Sequence, residues 1–514
     1  MNLVGLIWIS KVTYCKLGTT ASNPYRTMKI ALAPSPSSAD ILFLVLAKGE
    51  GLSKTIKSAL GGALTKQIEV RLKAKDFEGE DEQALTLFTD TGKWKRIVLV
   101  GRGEMGKEVP QAVEHLGAKL IDLCRAAKAR TAMAWVKETD FQAFAYGVAL
   151  GSYEFKRYKT PDKKTVEMKE FTFVTTTNKK TSVILNKANL FMKVSAQTRE
   201  LVNTCAGNQN TQDIANEAVL IAKKHKMKVT IFNDKQLKKM GCGALYAIGQ
   251  GAHTGARMVI LEYRNKSKSK EANVAFVGKG ITFDTGGLNL KPTGYIEEMK
   301  QDMAGAATVI AIMQGIAEAK LPGYFVGVLC CAENSLSDRS VHPGDVVTAY
   351  NGKTIEINNT DAEGRMVLAD GLSYTVKKIK PKVMVDIATL TGAVTVALGY
   401  HITGIMGNKQ KLIDEYMQCS QKTGERAWPF PLDEDFVKAC KGKFSDLINA
   451  TEGVRAGSIM GGAFLKHFVD DKTAWIHLDI AGSAWVEKPT PTTKYGATGV
   501  TIRSLLELAE RHAD

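Results

Sequence analysis

Apolar and polar positions alternate along the chain in a way that predicts two successive α/β segments. In the first third, the apolar runs at 41–46, 96–100 and 171–175 are typical of buried strands, and the periodicity of 109–127 indicates an amphipathic helix. A lysine-rich stretch at 155–179 then interrupts the pattern. These features predict a first, N-terminal α/β domain.

A second α/β segment follows a polar helix predicted at 195–205. Strands that alternate with helices predict a mainly parallel sheet covered on both faces, in which ligands bind beyond the carboxyl ends of the strands. The predicted strands lie at 228–232, 274–277, 325–331 and 383–387, and the predicted helices at 211–224, 304–319 and 365–378. The predicted order is an extension at 1–27, an N-terminal α/β domain at 28–190, a connecting helix at 191–210 and a larger α/β domain at 211–514.

Composition and charge narrow the class of protein. The 514 residues are too many for one ordinary core, and 44% hydrophobic with 24% charged residues is typical of a globular chain rather than a disordered one. The formal net charge of +16 leaves two interpretations open: a soluble enzyme with a basic surface, or a protein that binds nucleic acid or other anions. The eight cysteines form no CxxC pair, which favours a reducing compartment.

The N-terminus allows two interpretations of location. Residues 1–39 contain several Lys and Arg but no Asp or Glu, a weak likeness to a mitochondrial targeting segment. Alternatively, translation starts at Met28, ahead of a strand-like segment, and the protein is cytoplasmic. No apolar run reaches the ~18 residues that a membrane span needs, so no membrane association is expected.

The segment GRGEMG at 101–106 matches the GxGxxG pattern of dinucleotide-binding loops. However, the next predicted helix begins late, and the acid expected ~20 residues further on, Asp122, falls inside a helix rather than at a strand end. A glycine-rich turn between a strand and a helix is the simpler interpretation. Lys279 in Gly-Lys-Gly does not match a Walker A lysine either, because no Ser or Thr follows it.

Two acidic clusters stand where predicted strands end. Lys279 and Asp284 lie in a glycine-rich segment after a predicted strand, and Asp302 stands just before a predicted helix. Asp361 and Glu363 open another predicted helix. Taken separately, these acids are explained as helix caps or first-turn residues, because the N-terminus of a helix favours negative charge.

Taken together, the clusters indicate a metal site. Four carboxylates packed together repel one another unless cations neutralise them, and two divalent ions balance four negative charges. The set contains no His, and oxygen ligands accept Zn²⁺, Mn²⁺, Co²⁺ or Mg²⁺, so the pattern does not select one metal. Lys279 can join such a site only as a neutral amine, and nearby dications would depress its pKa.

Three segments carry these acids: VGKGITFDTGG at 277–287, KQDMAGAA at 300–307 and NNTDAEGRMVLADGL at 358–372. They resemble the signature of the leucine aminopeptidases, the family that includes bacterial aminopeptidase A. The resemblance covers about 195–500 well, is weaker before 190 and is absent before Met28.

The resemblance implies a role for each residue. The implied metal ligands are Lys279, Asp284, Asp302, Asp361 and Glu363. Asp284 and Glu363 would bridge two ions, Lys291 would polarise the scissile carbonyl, and Arg365 would hold a bicarbonate ion that acts as general base. The implied pocket for the first side chain of the substrate is lined by Met299, Thr389, Leu390 and Gly392.

The resemblance also implies a fold and an activity. The fold would be a small macro-like N-terminal α/β domain with a larger catalytic α/β domain, whose central mixed sheet is flanked by helices. The activity would be metal-dependent removal of N-terminal residues, preferably Leu or similar apolar residues, from short peptides by a cytoplasmic homohexamer.

Two hypotheses compete with the aminopeptidase interpretation. One is DNA binding, which some bacterial relatives show. The other is a two-metal phosphoesterase, against which the lysine ligand and the missing His argue.

Overall fold

Two α/β domains joined by a long helix make up the structure, a computed structural model that describes residues 27–104, 110–162, 164–451 and 453–514. The predicted fold class is confirmed: a smaller N-terminal α/β domain precedes a larger one with a mixed sheet between helices. Nearly all of the extension predicted at 1–27 and the end of the GRGEMG segment lie outside the described residues.

The N-terminal domain is built around a sheet of six strands in the described part of the chain. The strands are β1 (Lys29–Ala33), β2 (Ala39–Leu46), β3 (Ala84–Phe88), β4 (Trp94–Gly101), β5 (Thr131–Trp135) and β6 (Glu170–Val174). Their order is β1-β6-β5-β2-β4-β3, and all neighbours are parallel except β3 and β4. The helices are α1 (Lys54–Leu60), α2 (Gly62–Lys73), α3 (Pro110–Ala126) and α4 (Phe141–Gly151).

Helix α5 (Lys179–Asn203) connects the two domains. It starts at a capping box, in which the Asn178 side chain accepts from the Thr181 N–H and the Thr181 hydroxyl accepts from the Asn178 N–H. The helix predicted at 195–205 therefore matches only the last nine of the 25 residues of α5, which ends at Asn203. Lysines interrupt the apolar positions of the first half, although Ile184 and Ala188 are buried at helical spacing.

The C-terminal domain holds the larger sheet. The strands of the domain are β7 (Lys228–Asn233), β8 (Arg257–Asn265), β9 (Val274–Asp284), β10 (Gly323–Asn334), β11 (Val346–Thr348), β12 (Thr354–Glu356), β13 (Val383–Ala388), β14 (Thr403–Gly407), β15 (Ala427–Pro429), β16 (Leu447–Ile448), β17 (Ala474–Asp479), β18 (Trp485–Val486) and β19 (Gly496–Ala497). Its helices are α6 (Thr211–His225), α7 (Asp234–Met240), α8 (Gly243–Gly249), α9 (Ala304–Glu318), α10 (Glu363–Tyr374), α11 (Ala393–Leu398), α12 (Gln410–Thr423), α13 (Glu434–Ala439), α14 (Gly457–Lys466) and α15 (Ile502–Arg511).

Eight of these strands form one sheet in the order β15-β14-β17-β13-β9-β10-β8-β7. The central strands β17, β13, β9 and β10 are parallel to their neighbours within this group, whereas β14 pairs antiparallel with β17 and β8 pairs antiparallel with β10. The sheet is therefore mixed, with a parallel centre. Among the described residues, no helix is long and apolar enough to cross a membrane.

Strand β9 lies at the middle of this sheet and is longer than predicted. The apolar segment at 274–277 was expected to end in a glycine-rich loop, but the strand continues through Lys279 to Asp284. A Cβ on Gly278 would lie 2.7 Å from the backbone of Ala306 in α9, so glycine allows the helix to pack directly on the strand. The glycines thus mark a close helix–strand contact rather than a loop.

Candidate metal centre

The carboxyl end of β9 and the turn before α10 bring the predicted acids together. Asp284 ends β9, Asp302 lies in a single 3₁₀ turn before α9, and Glu363 is the first residue of α10, two residues after Asp361. Carboxylate oxygens of Asp284, Asp361 and Glu363 lie within 4.8 Å of one another. Asp284, Asp302 and Glu363 are buried, and Asp361 is partly exposed.

These acids do not cap the helices that they precede. The N-cap residues of α9 and α10 are Met303 and Ala362, and neither helix has a side-chain hydrogen bond at its cap. Asp302 instead accepts from the Thr389 hydroxyl, at 2.7 Å. The N-cap interpretation of Asp302 and Asp361 is therefore wrong, whereas Glu363 does lie in the first turn of α10, as the first-turn interpretation expected.

Lys279 lies at the centre of the cluster and is almost completely buried. Its ammonium is 2.7 Å from Asp302 Oδ1 and 2.7 Å from Glu363 Oε1. It also donates to the main-chain carbonyl of Thr389, at 2.8 Å. A Cβ at position 364 would lie 2.6 Å from Lys279 Nζ, so Gly364 leaves the space that the lysine occupies.

Lys291 approaches the same acids from the solvent side. Its ammonium is 2.9 Å from Asp284 Oδ2 and 2.5 Å from Asp361 Oδ1. The Lys291 side chain is 16% exposed, compared with 3% for Lys279. Lys291 is thus the cation of this cluster that can reach an incoming molecule.

Burial and charge act in opposite directions on these groups. Burial raises the pKa values of the Asp284, Asp302 and Asp361 carboxyls, and a neighbouring carboxylate raises each further. Burial alone would lower the pKa of Lys279, but the carboxylates around it outweigh this effect and raise its pKa. The same balance raises the pKa of Lys291.

The donor set fits divalent cations. Four carboxylates face two ammonium groups, so ionised acids leave an excess of negative charge in a buried site. Asp302 Oδ2 is buried and has no hydrogen-bond partner within the described part of the chain. Clustered oxygen atoms with one unpaired carboxylate oxygen are suitable ligands for such ions.

Three hydrogen-bonding residues near the acids were not predicted in these roles. The side-chain amide of Asn334 donates to Asp284 Oδ1 at 2.8 Å, and the Thr360 hydroxyl donates to the Gly286 carbonyl at 2.6 Å. The side-chain oxygen of Asn449 accepts from main-chain N–H groups in the turn before Asp361. Their partners are distant in sequence, so local patterns could not reveal them.

Arg365 lies in the first turn of α10 and is held by a main-chain carbonyl of another segment. Its Nη1 donates to the carbonyl of Asn449 at 2.9 Å. Burial lowers the pKa of its guanidinium, and nearby acids, including Glu363, act in the opposite direction. The arginine is therefore placed by the same residue that holds the turn carrying Asp361.

The predicted pocket residues come from two segments. Met299 begins the 3₁₀ turn that contains Asp302, and Thr389, Leu390 and Gly392 follow β13. The Thr389 hydroxyl and carbonyl are both directed at the acid cluster, through Asp302 and Lys279. Contact of these residues with a substrate side chain stays a prediction.

Comparison with known families gives two matches. The catalytic-domain model of the cytosol aminopeptidase family matches residues 196–506. The N-terminal-domain model of the same family matches residues 42–162.

Individual relatives agree with these matches. A cytosol aminopeptidase of Pseudomonas aeruginosa is 37% identical over 489 residues, covering 91% of this chain and 96% of its own. A probable cytosol aminopeptidase of a Geobacter species is 36% identical over 465 residues, covering 88% and 93%.

Solved structures are similar over nearly the whole chain. A mutant of tomato leucine aminopeptidase superposes with a TM-score of 0.83 at 30% identity, covering 95% of this chain and 97% of its own. The bottromycin maturation enzyme BotP in complex with Mn superposes with a TM-score of 0.80 at 27% identity, covering 92% and 99%.

Proposed function

The chain belongs to the cytosol aminopeptidase family, whose members are metal-dependent peptidases, and from this premise we propose how its site works. We propose that it removes N-terminal residues, preferably Leu or similar apolar residues, from short peptides. The observation that carries the proposal is the cluster of Asp284, Asp361 and Glu363 oxygens within 4.8 Å, with two lysines directed into it.

The proposed metal ligands are the acids of this cluster together with Lys279 and Asp302. Two divalent ions held there would lower the pKa of a shared water and polarise the scissile carbonyl. Zn²⁺ and Mn²⁺ are the proposed ions, with Co²⁺ and Mg²⁺ as alternatives, and the Mn complex of BotP supports manganese. Lys279 would join them as a neutral amine, since an ammonium has no lone pair to donate.

Lys291 and Arg365 are the proposed catalytic residues. The Lys291 ammonium, on the solvent side of the acids, would donate to the carbonyl oxygen as negative charge develops on it. Arg365, fixed by the Asn449 carbonyl, would hold a bicarbonate ion that takes up the proton of the attacking water.

The acid-rich cluster also gives a reason for cleavage at the N-terminus. The free α-amine of a peptide, in its neutral form, would ligate one of the two ions, whereas an internal peptide nitrogen has no available lone pair for a metal. The first side chain would lie against Met299, Thr389, Leu390 and Gly392. An apolar pocket of this kind discriminates by size only modestly, so related apolar residues would also be cleaved.

Assembly and location extend the proposal beyond the single chain. We infer a homohexamer in the cytoplasm. Relatives named cytosol aminopeptidases support the location, and family resemblance alone supports the hexamer. Nucleic-acid binding stays a prediction that rests on the net charge of +16.

The test is hydrolysis of leucine-p-nitroanilide by protein stripped with a chelator and then supplied with Mn²⁺, Co²⁺ or Zn²⁺. We expect activity to return with metal and to disappear when the amine of the substrate is acetylated. Cleavage of the acetylated substrate at the same rate would exclude an aminopeptidase.

Substitution of Glu363 connects the activity to the cluster. We expect Glu363→Gln to abolish turnover while circular dichroism shows a folded protein, because the amide cannot neutralise a cation. Glu425→Gln is the matched control, since Glu425 is also buried but pairs with Arg503 and Ser504 away from the site. Wild-type activity in Glu363→Gln would contradict the ligand assignment.

A further inference from the structure

We propose that Asn334 is a positioning residue for the metal centre. Its side-chain amide sets the orientation of the Asp284 carboxylate and its distance from the turn that carries Asp361. The inference rests on the proposed function, because it concerns how the ligands of the proposed ions are held. Nothing in the local sequence marks Asn334, which is the last residue of β10.

The register of two parallel strands brings Asn334 to the site. Asn334 of β10 is paired with Asp284 of β9 after a shift in register that follows the pair Ala332 and Ile281. Three residue steps on β9 thus match two on β10, which is a bulge. Because a bulge redirects side chains at a strand end, it turns Asp284 and Asn334 towards each other.

The Asn334 amide uses its N–H groups on two separate segments. Nδ2 donates to Asp284 Oδ1 at 2.8 Å and to the Thr360 carbonyl at 3.1 Å. Thr360 directly precedes Asp361, so one amide joins the strand end to the ligand-bearing turn. Asn334 is 3% exposed, and water has little access to replace these bonds.

The two carboxylate oxygens of Asp284 have different partners. Oδ1 accepts from Asn334 and also from the Gly286 N–H, at 2.8 Å. Oδ2 faces the cluster, where Lys291 lies 2.9 Å away. Two neutral donors on one oxygen keep the carboxylate from rotating, and the other oxygen stays directed at the cations.

The backbone of Asn334 fixes the same region. Its carbonyl accepts from the Thr285 N–H at 3.0 Å and from the Thr285 hydroxyl at 2.7 Å. The side-chain amide is therefore attached to a rigid support, which a positioning role requires.

Asn273 offers a matched control at the opposite end of the same strands. It is 4% exposed, and its amide also joins a main-chain carbonyl to a carboxylate, donating to His512 O at 2.8 Å and to Asp514 Oδ1 at 2.8 Å. Substitution of either asparagine removes the same kind of hydrogen bonds from a buried position. Only Asn334 contacts a proposed ligand.

The experiment measures Mn²⁺ affinity of full-length protein by the electron paramagnetic resonance signal of free Mn²⁺, together with kcat, KM and the melting temperature of metal-free protein. We expect Asn334→Ala to weaken Mn²⁺ binding about 10–100-fold. The same substitution should reduce kcat strongly and change KM little. Asn273→Ala should lower the melting temperature but leave Mn²⁺ affinity within about twofold of wild type. Asn334→Ser, which keeps one donor and disturbs packing less, should give an intermediate affinity.

Two results would count against the inference in different ways. Equal Mn²⁺ affinity in wild type, Asn334→Ala and Asn334→Ser would overturn the role of Asn334 while leaving the metal centre intact. Wild-type protein that binds no Mn²⁺, Zn²⁺ or Co²⁺ would overturn the proposed function itself.

Discussion

Lys279 reaches the centre of the acid cluster because residue 364 has no side chain. The ammonium lies where a Cβ of Gly364 would approach within 2.6 Å, and the nearby methylene carbons of Lys279 would be similarly close. Such distances cannot be relieved easily, since Lys279 is fixed by Asp302, Glu363 and the Thr389 carbonyl. Gly364 is therefore part of the site although it carries no reactive group.

We expect Gly364→Ala to reduce kcat/KM and Mn²⁺ affinity at least tenfold, because the methyl group must displace the Lys279 ammonium. Steady-state kinetics and a metal titration check this result. Gly62→Ala is the matched control: Gly62 also lies in the first turn of a helix, as the first residue of α2, and a Cβ there meets nothing within 4 Å. Unchanged metal binding in Gly364→Ala would show that Lys279 has other room.

At the scale of single residues, the sequence reveals charged groups better than their supports. Lys279, Asp284 and Glu363 could be predicted because they lie in short segments with a specific pattern. Asn334 and the Thr389 hydroxyl could not, because each acts on a residue of another strand or turn. Strand register decides those contacts, and it becomes known only when the sheet is assembled.

At the scale of elements, the central strands of the large sheet carry polar groups inside an apolar layer. Asp386 of β13 and His477 of β17 are paired in register and completely buried, with 2.6 Å between Asp386 Oδ1 and His477 Nδ1. Trp475 Nε1 donates to the other oxygen of Asp386 at 2.7 Å. This pair lies between strands that lead to the acid cluster.

The pair gives the stability a defined pH dependence. Burial alone would lower the pKa of His477, but the Asp386 carboxylate outweighs burial and raises it, with a smaller opposing effect of Arg365. The stabilisation is complete below the unfolded pKa of about 6.5 and is lost as pH rises through the higher folded pKa. We expect the free energy of unfolding of wild type to fall above neutral pH, and that of His477→Asn to fall less.

Urea unfolding between pH 6 and pH 9 measures this difference, in roughly the range where histidine titrates. The same substitution at the exposed His401 controls for general effects of pH on the protein. Parallel pH curves for wild type and His477→Asn would contradict the charged pair.

Elements differ in how well the sequence predicts them. Strands β2 and β4 contain continuous apolar runs, and only Asp386 interrupts that of β13. The predicted positions of all three strands agree with the structure to within two residues. The prediction ends β9 too early because glycine usually weakens or ends a strand. In the structure, glycine is required where α9 packs on β9. Packing between β9 and α9, rather than the local propensity of the residues, therefore determines the length of β9.

At the scale of the whole molecule, the two domains are joined by charge as well as by helix α5. Arg503 of α15 contacts Glu114 of α3 through two hydrogen bonds, at 2.6 Å and 3.2 Å, and lies 3.6 Å from Glu425. The ring of Tyr146 in α4 lies 5.6 Å from its guanidinium. One arginine of the C-terminal domain thus contacts Glu114 and Tyr146 of the N-terminal domain as well as Glu425 of its own domain.

We expect Glu114→Gln to destabilise the protein by about 1–3 kcal/mol, because the buried guanidinium loses a charged partner but keeps Glu425. Chemical denaturation measures the change. Glu434→Gln, which breaks the exposed pair with Lys466, should leave the free energy of unfolding almost unchanged in the same measurement. Equal effects of the two substitutions would mean that the domain joint contributes little.

Helix α5 also determines where relatives of this protein can exchange domains. The two family matches leave 163–195 between them, and more than half of α5 (Lys179–Asn203) falls in that interval. Its early turns pack into the N-terminal core, and Thr198, further along, lies close enough to the Ala307 carbonyl of α9 for a hydrogen bond at 3.4 Å. A hybrid joined at 195 would combine two half-helices that had adapted to different partners. A junction before Asn178 would transfer the whole helix with its capping box. Only the face of α5 that packs on the N-terminal domain would then have to fit a new partner.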